Sequence, residues 1–379
     1  MELVSVIKLE NYNIDEVFKA VKRSITEINF KIPRNKTILI KPNILAQNKP
    51  EQHSITHYSV VDALCRIFKE KNCKIIIGES IAFYQKGLTQ KAFITSKIKE
   101  VADKYNAKLI PFDEQPLIRI KDKLTGLNEI YLPEILMKTD YVINVPKLKT
   151  HSGLGLSGGI KNMFGCMPGG YKQKTHILVN NDFELSDVFI DICEIVRPKL
   201  TVMDAVIGLD GGPSAMGKPV SVGRILASTN PASLDVIAGR ILGYRPEEIS
   251  TLIRAKARKL INDFNSIKVI GDLDLPQIKF KRIIKGPIKL HKKKDGIFVT
   301  DTFVSPVIKY SKCNFCYKCV EFCPVKAIKK IANNFKILFD YNRCINCYYC
   351  LTACPSNAIK VKSTFKNKLI SLMRLILNI

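Results

Sequence analysis

The chain has 379 residues, 46% apolar and 25% charged, which suits two or three folded domains and excludes a disordered chain. Sixty Lys and Arg against 34 Asp and Glu give a formal charge of +26, which attracts anions, although lysines spread this widely also read as solvated surface. No apolar run reaches the roughly 18–20 residues that span a bilayer, and residues 1–7 lack the basic and apolar regions of a signal peptide.

Residues 1–275 alternate short apolar runs with helical patterns. Thr37–Ile40, Lys74–Ile77, Tyr141–Val145 and Thr201–Met203 read as buried strands. Tyr58–Lys69, Asp182–Val196 and Ala232–Leu242 read as helices, the last started by Pro231. This alternation predicts an α/β domain: a mostly parallel sheet with flanking helices.

The richest stretch of that domain is Asn144–Gly169. It leaves an apolar strand and enters a glycine-rich loop. Ligands of open α/β sheets sit beyond the carboxyl ends of strands, and glycines there let backbone N–H groups approach an anion. Lys147, Lys149 and Lys161 add charge, Gly158 and Gly159 supply close approach, and Asn162 can orient a carbonyl or carboxylate. His151 and Lys149 are candidate proton donors. Cys166, beside this charge, is a candidate nucleophile or proton donor with a lowered pKa. A structural loop with solvated lysines is the simpler alternative. Lys41 and Asn43 end an earlier strand and can face the same cleft as Lys149. Glu79 and Asp204 also follow strands, where a carboxylate serves as base or cation ligand, caps a helix or binds a lysine. Asp235, early in a helix, reads as favourable charge near its N-terminus. Cys65, Cys73 and Cys193 read as core. His57 and His176 are worth testing, whereas His53 and His291 read as surface residues.

These segments resemble the family catalogued as domain of unknown function 362, over roughly residues 2–272. The resemblance rests on the Asn144–Gly169 stretch, Lys41–Asn43, Thr56–His57, Gly78–Ser80, Met203–Ala205, Gly211–Pro213 and Ala227–Asp235, in that family's order. It implies a fold and a pocket without a reaction, and members often carry a ferredoxin module at one end.

Residues 276–309 are strongly basic, with Lys279, Lys281, Arg282, Lys285, Lys289, Lys292, Lys293 and Lys294, and read as a linker with some strand content. Residues 310–362 then repeat at a period of 31: Cys313, Cys316, Cys319, Cys323 and Pro324 recur as Cys344, Cys347, Cys350, Cys354 and Pro355. Each run is C-x2-C-x2-C-x3-C-P. One C-x2-C pair would also suit zinc. Two complete runs in tandem resemble the two-cluster bacterial ferredoxins, a small α+β fold. In that run the fourth cysteine ligates the other cluster. The resemblance therefore implies two [4Fe–4S] clusters, one held by Cys313, Cys316, Cys319 and Cys354, the other by Cys344, Cys347, Cys350 and Cys323. Those soluble carriers are usually acidic. This module is basic, which favours a raised cluster potential and an acidic redox donor such as a free ferredoxin.

The tail, residues 363–379, sets Asn367, Ser371, Arg374 and Asn378 opposite Leu369, Leu372, Met373 and Ile376. It reads as an amphipathic helix packed on the protein body, or resting on a membrane surface or a partner. The whole implies a cytoplasmic iron–sulfur oxidoreductase that feeds electrons to an anionic small molecule. The alternative is a non-catalytic electron carrier or metallocofactor-assembly partner that docks another enzyme. Nucleic acid is not expected as a partner, because no helix-turn-helix, RNA-recognition or zinc-finger pattern accompanies the charge.

Overall fold

The computed structural model describes residues 2–82, 87–151, 154–210, 217–274 and 305–362, the last without 324, 332–335, 342 and 345–348. The basic stretch 276–304, His291 and the tail 363–379 lie outside the described residues.

The large domain contains, in chain order, β1 (Leu3–Lys8), α1 (Ile14–Glu27), β2 (Thr37–Pro42), α2 (Tyr58–Lys69), β3 (Lys74–Glu79), α3 (Leu88–Thr95), α4 (Ile98–Lys104) and β4 (Lys108–Pro111). A hairpin of β5 (Leu117–Ile120) and β6 (Ile130–Pro133) follows, then α5 (Ile135–Lys138), β7 (Tyr141–Val145), β8 (Lys147–His151), β9 (Gly155–Ser157), α6 (Gly159–Asn162), α7 (Gly169–Leu178) and α8 (Asp182–Val196). The domain ends with β10 (Leu200–Asp210), β11 (Lys218–Ser228), α9 (Pro231–Ile241), α10 (Ser250–Ala257) and β12 (Lys268–Gly271).

Ten strands form one sheet in the order β12-β1-β11-β10-β7-β2-β3-β4, with β8 paired to β10 and β9 to β8. Only β11 and β9 run antiparallel to their neighbours, so the sheet is mostly parallel, with flanking helices. The central strands are buried along nearly their whole length, because helices cover both faces. Alternate residues of each strand enter opposite cores: Ile38 and Ile40 pack with α1 and α2, while Leu39 joins the core under α8 and α9. Local chemistry sets the helix starts. Asn181 accepts from the N–H groups of Phe183 and Glu184 at the head of α8, and Asn230 caps α9 before Pro231.

The small module is α+β: β13 (Ser305–Ile308) pairs with β16 (Ile359–Lys362), and β14 (Ile328–Ile331) with β15 (Lys336–Phe339). Between them lie α11 (Lys318–Glu321) and α12 (Tyr349–Ala353). The elements themselves recur at the sequence period: β13 and β15, α11 and α12, and β14 and β16 each start 31 residues apart. Reciprocal bonds cross the pseudo-two-fold axis. Tyr310 donates its hydroxyl to the Ile337 carbonyl at 2.9 Å, and Tyr341 donates to Pro306 at 3.0 Å. Since β13 belongs to this pairing, residues 305–308 of the segment read as linker pair within the module. The linker expected over 276–309 therefore ends earlier, with its strand content claimed by β16.

Candidate functional site

From β2 the chain steps outward through β3 to β4, then returns to place β7 on the other side of β2. The crevice between the carboxyl ends of β2 and β7 is therefore a topological switch point. Lys41 and Asn43 reach it from β2, Glu79 and Ser80 from β3, and Asn144 from β7. An amide chain bridges it: Asn43 Nδ2 donates to Asn162 Oδ1 at 3.0 Å, and Asn162 Nδ2 to Asn144 Oδ1 at 2.8 Å. Lys41 is fully buried and its ammonium lies 2.7 Å from Glu79 Oε2. Gly165 closes over this pair; a Cβ there would lie 2.4 Å from Glu79 Oε1 and 2.5 Å from Lys41 Nζ, so only glycine fits without a shift.

In front of this pair opens a cavity of about 290 Å3. Its polar lining includes Asn43, Glu79, Ser80, Lys161, Asn162, Lys172 and His176, and its apolar lining Ile44, Leu45, Ala82 and Phe164. Lys172 donates to the Ser80 carbonyl and, at 2.8 Å, to the Ser80 hydroxyl. Burial, with Lys41 nearby, pushes its ammonium down to about 8, although Glu79 and Asp113 pull the other way. Lys161 lies over the Phe189 ring at 6.0 Å and has no hydrogen-bond or ion-pair partner among the described residues. Burial and the charges of Lys172 and Lys41 also bring it to about 8. Behind the lining, Lys149 donates to Asn43 Oδ1 at 2.6 Å and to the Ser54 carbonyl at 3.0 Å, with no carboxylate on it. Burial, then Lys161 and Lys147, lowers it to about 7. His176 is exposed at the cavity mouth, yet desolvation on its inner side and then Lys161 bring it down to about 4; its neutral imidazole donates one hydrogen bond and accepts another. Burial pushes the Glu79 carboxyl up, against the pull of Lys41 and Lys172.

Several sequence expectations need correction here. Gly158 and Gly159 line no part of the cavity, and the Gly159 N–H is already spent. Asp235, from α9, takes the Gly159 N–H at 2.5 Å and the Ile160 N–H at 3.0 Å, and a Cβ on Gly158 would lie 2.2 Å from Asp235 Oδ1. Asp235 thus caps α6 and not its own helix. Burial raises its carboxyl to about 7 against those two N–H groups. Cys166 is fully buried and lines no part of the cavity; burial raises its thiol to about 12, the reverse of the expected activation. His151 also stands outside the lining, its Nδ1 accepting the Leu154 N–H at 3.1 Å. Lys147 does not reach the cavity. Its ammonium is held by Asp204 at 2.9 Å and by the Tyr12 hydroxyl at 2.7 Å, and Tyr12 stacks on His57 at 3.8 Å. Burial works to raise the Asp204 carboxyl, but Lys147 and the His57 N–H outweigh it and leave it below the usual range. His53 is half-buried and stacks on Tyr12, so it is not a plain surface residue. Of the readings open to Glu79 and Asp204, lysine binding is the one seen. Sequence reasoning passed over Lys172 and Ser80; Lys172 lies only three residues beyond the end of the glycine-rich stretch.

In the module, Cys313, Cys316, Cys319 and Cys354 line one small pocket together. Sulfur-directed N–H groups repeat across the axis: Ala327 N–H points to Cys323 Sγ at 3.2 Å, and Ala358 N–H to Cys354 Sγ at 3.2 Å. Such donors stabilise thiolate ligands, so these residues fit a cluster. Among the described residues no three of His, Cys, Asp or Glu converge to grip a single ion; in a cubane each thiolate binds its own iron, so the four sulfurs stand farther apart. Of the second set, Cys323, Cys344 and Cys350 are described and Cys347 lies outside.

Residues 38–240 match the family described as domain of unknown function (DUF362). The chain belongs to the DUF362 family. In this DUF362 protein, residues 305–356 match the 4Fe-4S dicluster domain, so it is an iron–sulfur protein with a ferredoxin-type module. It is similar to thylakoid-associated protein sll1697 of Synechocystis sp. (strain ATCC 27184 / PCC 6803 / Kazusa), at 28% identity over 255 residues, covering 66% of this chain and 77% of that relative. The lactate racemase apoprotein of Thermoanaerobacterium thermosaccharolyticum superposes with a TM-score of 0.41 at 13% identity, covering 63% of this chain and 56% of the racemase. Among the described residues no helix is long and apolar enough to cross a membrane.

Proposed function

We propose that this protein is an iron–sulfur oxidoreductase whose cavity binds a small anion with an apolar, unsaturated or carbonyl-bearing body. Two [4Fe–4S] clusters, when bound to the eight module cysteines, supply electrons one at a time. The chain's own residues then do the rest. Lys161 meets the anionic group, Phe164, Ile44 and Leu45 cover the body, and Lys172 holds a proton on the cavity wall beside Ser80.

The observation that carries this reading is Lys161, a cavity-lining ammonium set over the Phe189 ring with no carboxylate within ion-pair distance among the described residues. Lys161 is half-buried; an ammonium partly withdrawn from water without a counter-ion is costly, and an anionic ligand removes that cost. The test is anaerobic purification with iron and sulfide counts, then native mass spectrometry of the retained small molecule. About eight iron and eight sulfide per chain are expected. Lys161→Met should keep those counts and lose the retained anion. An anion held as tightly by the variant as by the parent would refute the assignment, and a stoichiometric protein partner in place of a small molecule would favour the carrier or assembly role.

A further inference from the structure

We propose that the outer end of the ferredoxin-type module, around Cys316, is the docking face for an acidic one-electron carrier protein. The inference rests on the iron–sulfur reading above and adds which of the two cysteine runs meets the carrier. The two runs are related by a repeat, but their surroundings differ. The second run is turned toward the α/β domain: Lys174 of α7 donates its ammonium to the Cys344 carbonyl, and α12 packs against the turn Phe112–Glu114 at the end of β4. A cleft of about 870 Å3 separates the two parts, lined from the module by Val325, Lys326 and Arg343 and from α7 by Tyr171, Lys174 and Leu178.

Helix α7 explains why this side faces inward. Lys172 and His176 are one turn apart and line the anion cavity, while Tyr171, Lys174 and Leu178 occupy the opposite stripe against the module. A single helix thus stands between the cavity and the second run. Its N-terminus is tied to the same turn that α12 touches, through Asp113 accepting the Gly169 N–H at 2.5 Å.

The first run is left outward. Cys316 is the one exposed cysteine among those described. Around it Lys309, Lys312 and Lys318 are exposed, and Lys330 stands 4.3 Å over the Tyr317 ring of the same run. Tyr310, 46% exposed, stacks on Phe315, the chain neighbour of Cys316. Outside the cleft lining, residues 305–331 hold five lysines (Lys309, Lys312, Lys318, Lys329 and Lys330) and a single carboxylate, Glu321. An exposed aromatic and a run of exposed lysines flanking an exposed ligand position form a surface complementary to an acidic partner. The step this face serves is a one-electron transfer. The carrier, a reduced iron–sulfur protein of acidic surface, is oxidised by one electron and this protein reduced by one; no bond or proton changes hands.

The test uses the anaerobic, cluster-loaded full chain and a reduced acidic [2Fe–2S] ferredoxin, followed by stopped-flow absorbance. Lys312→Glu and Lys318→Glu should together lower the association rate constant by about ten-fold or more at low salt and flatten its dependence on ionic strength. Lys326→Glu, on the inner side, should stay within about two-fold of the parent. Equal rates for the double variant and the parent, or a larger fall for Lys326→Glu, would overturn the proposal. Should the double variant lose its clusters, lysine acetylation of the unaltered protein decides. The carrier should protect Lys309, Lys312 and Lys318, and protection confined to other lysines would count against this face. None of these readouts depends on the anion cavity, so loss of the Lys161 assignment leaves them standing.

Discussion

Two sets of lysines, all buried but the half-buried Lys161, meet at the carboxyl edge of the sheet, and they differ in what neutralises them. Lys41 and Lys147 each lie against a buried carboxylate, Glu79 at 2.7 Å and Asp204 at 2.9 Å. Lys149 and Lys172 are held only by neutral oxygens, and Lys161 by an aromatic face. The first set is closed on itself and builds the edge. Of the second set, Lys161 and Lys172 carry charge into one cavity, with Lys149 behind its lining, and this gives the cavity reason to bind an anion. The largest effect expected from breaking this contrast is on the closed set. Asp204→Ala strands the Lys147 ammonium and the Tyr12 hydroxyl, and should cost about 3–5 kcal/mol in urea unfolding, since removing one partner of a buried pair leaves the other charge exposed to a low dielectric. Lys161→Met should cost nothing comparable. If both variants lose the same stability, the distinction between structural and ligand-facing lysines is wrong.

A smaller effect sharpens the same comparison from the backbone side. Asp235 occupies the N–H groups at the head of α6, which a glycine-rich loop would otherwise offer to an anion. Gly158→Ala sets a Cβ 2.2 Å from Asp235 Oδ1, so the carboxylate must move and the cap is lost. Overpacking of this kind costs about 1–3 kcal/mol. Thermal unfolding should show the loss, with anion retention kept because Lys161 and Lys172 are untouched. Loss of the anion at unchanged stability would instead restore the loop as a direct ligand-binding element.

The module was legible because its signal is local and doubled. Eight cysteines at fixed spacing and a 31-residue period carry through to the strands, helices and hydroxyl bonds. In the α/β domain the elements were legible too: Tyr58–Lys69 and Asp182–Val196 form helices over the expected residues. What the runs of apolar residues could not convey is pairing at a distance. Gly159 and Asp235 are 76 residues apart, Lys147 and Asp204 57, and Lys172 and Ser80 92. Each of these contacts decides whether a polar group is free or spent. Cys166 failed as a candidate because complete burial outweighs the positive charge expected to lower its pKa, which the fold supplies from Lys41 and Lys172. Strands β1, β11 and β12 also escaped notice. β1 and β12 lie at the far edge of the sheet, and the first part of β11 is largely exposed, so a continuous apolar run is weaker there.

The smallest effect, and the most discriminating, is in pH. Lys149, Lys161 and Lys172 have folded values of about 7, about 8 and about 8, below the ordinary lysine value of about 10.4 that the unfolded chain would show. Between those limits the unfolded state holds more protons, so these groups make stability rise as pH increases from about 7. The buried thiols of Cys65, Cys166 and Cys193 act oppositely, because folding raises them and the unfolded thiols ionise from about 8.5. Comparing the parent with Lys161→Met cancels the thiols and leaves Lys161 together with the shifts it imposes on Lys149 and His176. The parent should gain stability relative to the variant as pH rises through about 8 toward 10, while its affinity for the anion falls over the same range because the ammonium is being lost. Opposite slopes for stability and for binding, both traced to one side chain, are what a charge held ready for a ligand requires. A lysine that merely decorates the surface would move neither.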